Sequence, residues 1–122
     1  MKRILVVEDD ESQRILYHDE FAEAGYEVIL AANGREALKQ LDLAEPDLII
    51  LDIVMPVMDG METIGRIIRE HREVPIILNT AYSSYKDDFM SWGAEAYVVK
   101  SADMRELKAK VREVLGESRN HP

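Results

Sequence analysis

What this chain lacks already excludes several kinds of protein. It contains no cysteine, which excludes disulfide bonds, thiolate metal sites and a cysteine nucleophile. No apolar run approaches the roughly 20 residues of a membrane-spanning helix. The apolar run after the basic start, residues 4–7, is too short for the core of a signal peptide. We therefore expect a soluble, cytoplasmic protein that has no membrane partner.

Basic residues are also scarce. The chain has 15 lysines and arginines against 24 aspartates and glutamates, and its formal net charge is −9. A nucleic-acid-binding domain needs a basic face, so we expect no direct nucleic acid binding by this domain and an affinity for cations instead. The histidines are scattered along the sequence and, without cysteine, they do not suggest a zinc site.

The order of apolar and amphipathic stretches predicts the fold class. The 122 residues suffice for one domain with a continuous core, and strand-like and helix-like stretches alternate five times. The predicted strands are residues 3–7, 27–31, 47–51, 75–79 and 96–99, and the predicted helices are residues 11–24, 33–41, 61–71, 84–92 and a last one that begins after Asp103. Short connections and right-handed crossovers then require an α/β fold, a doubly wound parallel sheet with helices on both faces.

Several helix ends carry recognisable signals. Gly25 is suited to the position just after the first helix, where the left-handed conformation is common. Asn33 and Glu36 form a capping-box-like start for the second helix, and Asp103 and Glu106 do the same for the last.

Charged and polar side chains follow four of the five predicted strands. They are Glu8, Asp9 and Asp10 after the first strand, Asp52 after the third, Thr80 after the fourth and Lys100 after the fifth. Ligands of such sheets bind beyond the carboxyl ends of the strands. Several carboxylates in one place cannot all stay ionised without a counter-charge. Lys100 supplies one such charge, and a hard cation supplies more; Mg²⁺ is best suited, with Mn²⁺ as a substitute.

The acidic residues predict a nucleophile and a metal site. Asp52 lies on the central strand and is the predicted nucleophile, which would become an acyl phosphate. Glu8 and Asp9 are the predicted metal ligands, together with Asp52 itself and the backbone carbonyl of Val54. Asp10 is expected to cap the first helix instead, because acids are favourable at a helix N-terminus.

Two further side chains complete a predicted phosphoryl-transfer site. Thr80 and Lys100 are expected to bind the oxygens of the transferring group. The ammonium and the metal would together neutralise the charge on those oxygens.

Four short stretches together resemble a known family. The stretches "VVEDDES", "LDIVMPVMDG", "NTAY" and "AYVVKS", in this order and spacing, resemble the receiver domains of two-component response regulators, of which the chemotaxis regulators are one type. The resemblance predicts a flavodoxin-like (βα)5 receiver fold with strand order 2-1-3-4-5. It runs over nearly the whole chain, so we expect residues 1–117 to form the receiver domain and residues 118–122 to be a disordered tail or the start of a linker.

The resemblance also implies a function and partners. A sensor histidine kinase or a histidine phosphotransfer protein would donate a phosphoryl group to Asp52 in a Mg²⁺-dependent reaction. The domain would be a phosphoacceptor rather than an enzyme, catalysing only its own phosphorylation and dephosphorylation. Its output would be a downstream protein target or a missing output domain, and a homodimer through the fourth helix, fifth strand and fifth helix is compatible with the family.

The family pattern assigns a switch to Thr80 and Tyr97. Phosphorylation places new acceptor oxygens near the Thr80 hydroxyl, which moves toward them and vacates space that the Tyr97 ring can fill. The surface formed by the fourth helix, fifth strand and fifth helix would then change shape.

The chain departs from the family pattern after Lys100. The family usually has proline there, in a cis bond, whereas this chain has Ser101. A cis bond without proline costs roughly 3–4 kcal/mol. The sequence therefore leaves two outcomes open, a trans bond with a shifted loop or a strained cis bond held by its surroundings.

Three other functions remain open at this point. An aspartyl-phosphate hydrolase usually has a second aspartate two residues after the nucleophile, where this chain has Val54. A flavodoxin-like cofactor binder would cradle phosphate after its first strand, where "EDDES" would repel it. A receiver that acts as an unphosphorylated interaction module is the third alternative.

The residue types at positions 54 and 82 predict slow loss of the phosphoryl group. Val54 and Tyr82 are bulky, and neither is an acid or amide suited to orient an attacking water. We expect Val54→Asn to accelerate the loss, measured by following labelled phosphate on the protein. A half-life of seconds for the unaltered chain would contradict this prediction.

Overall fold

The computed structural model describes residues 1–52, 65–71, 73–81 and 86–116, without the side chains of residues 89, 91 and 92. Three features predicted above lie outside the described residues. They are the loop after Asp52, which includes Val54, the residue Tyr82, and the tail from residue 117 onward.

Strands and helices alternate along the chain as predicted. The strands are β1 (Arg3–Val7), β2 (Glu27–Ala31), β3 (Leu48–Leu51), β4 (Ile76–Thr80) and β5 (Ala96–Val99). The helices are α1 (Glu11–Glu23), α2 (Gly34–Ala44), α3 (helical over residues 65–70 of the described part), α4 (Lys86–Trp92) and α5 (Arg105–Val114). All strand pairs are parallel and the strand order is β2-β1-β3-β4-β5, which confirms the predicted doubly wound α/β fold.

The sheet separates two hydrophobic cores, because successive side chains of a strand point to opposite faces. One core, which we call the α2 face, joins the strands to Ala37 and Leu41 of α2 and to Ile67 and Ile68 of α3. The other, which we call the α1 face, joins them to α1 and α5, and its helical members are Tyr17, Phe21, Leu107 and Val111. Helices therefore pack on both faces of the sheet, and a ligand is expected beyond the carboxyl ends of the strands.

Two element boundaries differ from the sequence prediction because of proline. Helix α2 continues to Ala44, three residues beyond the predicted end, and Glu45 turns into the left-handed region (φ 48°) just before Pro46. Proline restricts the residue before it, so the helix can run until that point. Strand β4 begins at Ile76, because Pro75 lacks an N–H and contributes only its carbonyl, which accepts from Ile49 N at 3.0 Å.

The caps of the first two helices are confirmed. The Asp10 side chain accepts from Gln13 N at 3.1 Å, and the Asn33 side chain accepts from Glu36 N at 2.9 Å. The Glu36 carboxylate returns a bond to the backbone, although it reaches Ala32 N rather than the cap residue. These bonds satisfy amide groups that have no partner inside the helix.

The capping box predicted for the last helix is found only in part. Helix α5 begins at Arg105, and the side chain of Met104 before it makes no cap bond. The Asp103 carboxylate accepts from Arg105 N at 2.9 Å and also binds the Arg105 guanidinium. Asp103 N donates to the Ser101 hydroxyl and not to Glu106, so the returning half of the box is wrong.

The described helices include none that is both long and apolar enough to cross a membrane.

We expect Asp10→Ala to lower the free energy of unfolding by about 1 kcal/mol, because it removes the N-cap bond of α1. Asp10→Asn is the matched control, since asparagine caps a helix about as well as aspartate. Urea denaturation of the three proteins measures the difference. Equal stability of Asp10→Ala and the unaltered chain would contradict the capping role.

Candidate functional site

Backbone pairing carries the acidic and basic residues to one edge of the sheet. Just beyond the strand ends, Glu8 N donates to Ala31 O at 3.0 Å and Asp52 N donates to Val7 O at 2.9 Å. Lys100 N likewise donates to the carbonyl of Thr80 at 2.7 Å. The residues that follow β1, β3 and β5 are therefore fixed by the sheet itself, as predicted from the strand order.

The Lys100 ammonium is the centre of the site. Its Nζ lies 2.5 Å from Asp52 Oδ2, 2.9 Å from Glu8 Oε1 and 2.6 Å from Gln13 Oε1. The Glu8 and Asp52 side chains are almost completely buried, with 0% and 2% exposure, and that of Lys100 is 15% exposed. Two buried carboxylates are thus held by one ammonium, which cannot neutralise both.

The carboxylates fit a divalent cation. Glu8, Asp9 and Asp52 each offer an oxygen within 4.8 Å of the others. Among the described residues, Asp52 Oδ1 is buried and finds no hydrogen-bond donor. A buried carboxylate oxygen without a donor, beside two further carboxylates, is the kind of ligand set that Mg²⁺ accepts. Asp10 caps α1, as predicted.

Burial and charge set the protonation of this cluster. Burial raises the pKa of Asp52 to about 8, and the neighbouring Glu8 carboxylate adds to the rise. Burial alone would also raise the pKa of Glu8, but hydrogen bonds with Asp52 and Lys100 hold it below the ordinary value. Burial alone would lower the pKa of Lys100, yet the two carboxylates raise it. Without a metal, the pair therefore keeps a proton on Asp52 at neutral pH, which a cation would displace.

Helix α1 contributes residues that the sequence reasoning did not single out. Gln13 contacts Lys100, and Arg14 Nη1 donates to the backbone carbonyls of Glu8 at 2.8 Å and of Asp9 at 3.2 Å. Arg14 thereby fixes the backbone of the acidic loop. The signal available in the sequence was the spacing from the Asp10 cap, because residues three and four positions later lie over the N-terminal end of the helix.

The two predicted switch residues lie on the same face of the sheet. Thr80 is fully buried at the end of β4, and Tyr97 is partly buried against the core of the α2 face. Tyr97 pairs in register with Leu78, two residues before Thr80. Because side chains alternate along a strand, Leu78 and Thr80 point to the same face as Tyr97.

The departure after Lys100 leaves the site intact. The described residues contain no cis peptide bond, so the Lys100–Ser101 bond is trans, and the strained cis bond is not found. Lys100 nevertheless contacts Asp52. The Ser101 hydroxyl accepts from Asp103 N at 3.1 Å, which closes the turn before α5.

Comparison with known families agrees with this geometry. The family model described as the response regulator receiver domain matches residues 4–112. The chain therefore belongs to the response regulator receiver domain family, and its five-stranded sheet has the strand order expected for that fold.

Two solved structures of one regulator are close in sequence and shape. The response regulator TrrA from Thermotoga maritima, in complex with Mg²⁺–BeF, is 49% identical with a TM-score of 0.83, over 93% of this chain and 99% of that one. TrrA in complex with the histidine kinase ThkA gives 50% identity and a TM-score of 0.82, over 94% of this chain and 99% of that one.

Curated relatives are longer than this chain. The alkaline phosphatase synthesis transcriptional regulatory protein PhoP of Bacillus subtilis is 37% identical over 96% of this chain and 50% of its own length. The probable transcriptional regulator ycf27 of Cyanophora paradoxa is 38% identical over 98% of this chain and 50% of its own length. The chain thus spans about half the length of these relatives.

We expect Asp52→Asn to stabilise the metal-free protein at about pH 8. The pKa of Asp52 is raised from 3.8 to about 8 in the folded state, so the unfolded chain ionises first as the pH rises. The stability that Asp52 contributes is complete below about pH 4 and is lost as the pH rises to about 8. Asparagine does not titrate, so the variant should exceed the unaltered chain by on the order of 1–3 kcal/mol at pH 8 and by less at pH 5.

Urea denaturation in the presence of a chelator, at both pH values, measures this difference. Asp42→Asn, at an exposed position of α2, is the matched control and should show no such pH dependence. A stability gain for Asp52→Asn that is the same at both pH values would contradict the prediction.

Proposed function

We propose that this receiver domain accepts a phosphoryl group on Asp52 from the phosphohistidine of a sensor histidine kinase or a histidine phosphotransfer protein. The observation that carries the proposal is the state of the Asp52 carboxylate. One oxygen is held by Lys100, and the other is buried without a donor among the described residues, beside Glu8 and Asp9. A carboxylate so placed has one oxygen fixed and one available for a cation or a phosphoryl group.

The proposed reaction moves the phosphoryl group between two nucleophiles. A bond forms between an Asp52 oxygen and phosphorus, the phosphorus–nitrogen bond of the donor breaks, and its electron pair remains on the imidazole of the donor histidine. Asp52 must be ionised to attack, so the proton that burial retains on it has to leave first. Lys100, already within hydrogen-bond distance of Asp52, would shift a bond to a phosphoryl oxygen as the charge is transferred.

Glu8, Asp9 and Asp52 would hold the Mg²⁺ ion, and the carbonyl of Val54 stays a predicted further ligand. When bound, the ion would neutralise charge on the phosphoryl oxygens. Mn²⁺ would replace it, because oxygen ligands also suit that ion. The metal assignment is supported by the structure of TrrA, which is 49% identical to this chain and was solved in complex with Mg²⁺–BeF.

The proposed output is a change at the surface of α4, β5 and α5. Thr80 is buried at the end of β4, two residues beyond the register partner of Tyr97, so a shift of its hydroxyl toward a new phosphoryl group frees volume on the face that Tyr97 shares. We infer that Tyr97 moves inward to fill that volume. Both residues already make interactions in the present structure, which the shift would exchange.

The partners follow from the relatives. A histidine kinase is bound to TrrA, and PhoP and ycf27 are transcriptional regulators twice as long as this chain. We therefore propose that the output is a downstream protein or an output domain such as the remaining half of those relatives would provide. A homodimer through α4, β5 and α5, a cytoplasmic location and a domain boundary at residue 117 remain predictions from the family resemblance. The net charge of −9 supports an output that does not involve nucleic acid binding by this domain.

Phosphorylation by a small donor tests the proposal. Incubation with acetyl phosphate and Mg²⁺ should add the mass of one phosphoryl group to the protein, because the site itself supplies the nucleophile and the counter-charges. The adduct should not form in Asp52→Asn, nor in the unaltered chain when a chelator is present during the incubation. Intact-protein mass spectrometry measures both.

Asp42→Asn is the control and should accept the group as the unaltered chain does. Beryllofluoride with Mg²⁺ should change the tryptophan fluorescence spectrum of the unaltered chain and leave that of Asp52→Asn unchanged. No adduct with any donor, and no response to beryllofluoride, would favour the alternative of an unphosphorylated interaction module.

A further inference from the structure

Three hydrogen-bonded polar side chains, two buried and one partly buried, run from β4 to the Lys100 ammonium, and neither the family resemblance nor the relatives assign them a role. We call them the polar row. It consists of Asn79, Tyr17 and Gln13. We propose that Gln13 is a positioning residue for Lys100, held in place by Tyr17 and Asn79, and that it sets the rate at which Asp52 accepts a phosphoryl group. The effect on rate rests on the proposed function, whereas the contact between Gln13 and Lys100 can be tested without it.

Gln13 completes the coordination of the ammonium. A lysine ammonium has three N–H donors and no acceptor. In this structure two donors go to the carboxylates of Asp52 and Glu8 and one to Gln13 Oε1, at 2.6 Å. Three acceptors in fixed places leave the ammonium one orientation, and Gln13 is the acceptor on α1, outside the carboxylate cluster.

The Gln13 amide also contacts Tyr17, one turn further along α1. The Tyr17 hydroxyl donates a long hydrogen bond to Gln13 Oε1 at 3.4 Å and accepts one of ordinary length from Asn79 Nδ2 at 2.9 Å. Tyr17 is 5% exposed and Asn79 is 2% exposed, so neither can exchange its partner for water without opening the core. The Tyr17 ring also lies 5.9 Å from Lys100 Nζ, within the range of a cation–π contact. The position of Lys100 is thereby tied to β4 through α1.

A neutral acceptor suits this position. A third carboxylate would hold the ammonium equally well, but it would cancel the positive charge that the phosphoryl oxygens need. The Gln13 carbonyl binds the ammonium and leaves its charge in place. During transfer the contact of Lys100 with Asp52 must be exchanged for one with the phosphoryl group, and the Gln13 contact can persist through that exchange.

The rate of phosphorylation by acetyl phosphate, at saturating Mg²⁺, is the first readout. Gln13→Met keeps the length of the side chain and removes the acceptor, and it should slow the reaction by roughly three- to tenfold, the range of one ordinary hydrogen bond. Mg²⁺ affinity by calorimetry should stay within about twofold, because Gln13 contacts none of the three carboxylates. The matched control is Gln40→Met, the same change at the other glutamine of the chain, on α2, which should leave the rate unchanged.

Tyr17→Phe distinguishes positioning from simple packing. It keeps the ring and removes the hydroxyl that restrains Gln13, so it should slow phosphorylation less than Gln13→Met does. If Tyr17 acts through Gln13, the double variant should be no slower than Gln13→Met alone. Rate losses that multiply in the double variant would mean that the two residues act separately and would overturn the proposed row.

A second readout does not depend on phosphorylation. The experiment uses Asp52→Asn as its background, so that removal of the Lys100 ammonium leaves one buried carboxylate, Glu8, without a counter-charge and not two. In this background, the effect of Gln13→Met on the unfolding equilibrium is measured twice, once with Lys100 present and once with Lys100→Met. The expected effect is about tenfold with the ammonium and less than about twofold without it. Equal effects in both backgrounds would overturn the contact.

The outcomes separate this inference from the proposed function. If the unaltered chain accepts no phosphoryl group while the unfolding effect depends on Lys100, the proposed function fails, the rate effect fails with it, and the positioning contact stands. If the unaltered chain is phosphorylated and Gln13→Met reacts as fast, the proposed function stands and the role of Gln13 in the rate is refuted.

Discussion

The ammonium of Lys100 between the carboxylates of Glu8 and Asp52 is the interaction on which the site depends. Each carboxylate is buried, and two buried carboxylates side by side would be strongly unfavourable without a nearby cation. Lys100 follows β5, whereas the acids follow β1 and β3, so the contact requires the lysine side chain to reach across the end of β4. Because all strands are parallel, the three residues lie at the same edge, and the strand order places β1 beside β3 with β5 two strands away. The chemistry of the site therefore depends on the topology of the sheet.

One ammonium cannot neutralise two buried carboxylates, and the remaining negative charge determines how the pair binds a proton or a cation. The raised pKa of Asp52 and the lowered pKa of Glu8 describe a pair that holds one proton between two carboxylates. A divalent cation held by Glu8, Asp9 and Asp52 would compete with that proton and favour the ionised form of Asp52. Under the proposed function, the reactivity of Asp52 would therefore be coupled to metal binding.

The sequence was sufficient to predict the fold and the residues at the strand ends. Apolar runs mark buried parallel strands, and the residue after each run lies at a known edge, so Asp52 and Lys100 could be named from position alone. The residues on α1 could not be named in this way. Exposed Ile15 and Leu16 stand directly before buried Tyr17, so the apolar pattern does not show which face of the helix is buried. Gln13 and Arg14 act through local geometry that depends on how α1 is seated on the sheet. The returning half of the capping box of α5 was wrong because Asp103 N donates to the Ser101 hydroxyl instead of to Glu106, a local bond that the sequence spacing did not predict.

The two hydrophobic cores on either side of the sheet divide the surroundings of Asp52. Tyr17 belongs to the core under α1 and α5, and Tyr97 packs against the core under α2 and α3. The side chains proposed to position Lys100 and those proposed to respond to a modified Asp52 therefore pack on opposite faces of the sheet. Under both proposals, substitutions in one core would alter how fast the domain is phosphorylated and leave its response intact, and the reverse would hold for the other core. Such a partition would allow the rate of a signal and its output to evolve independently.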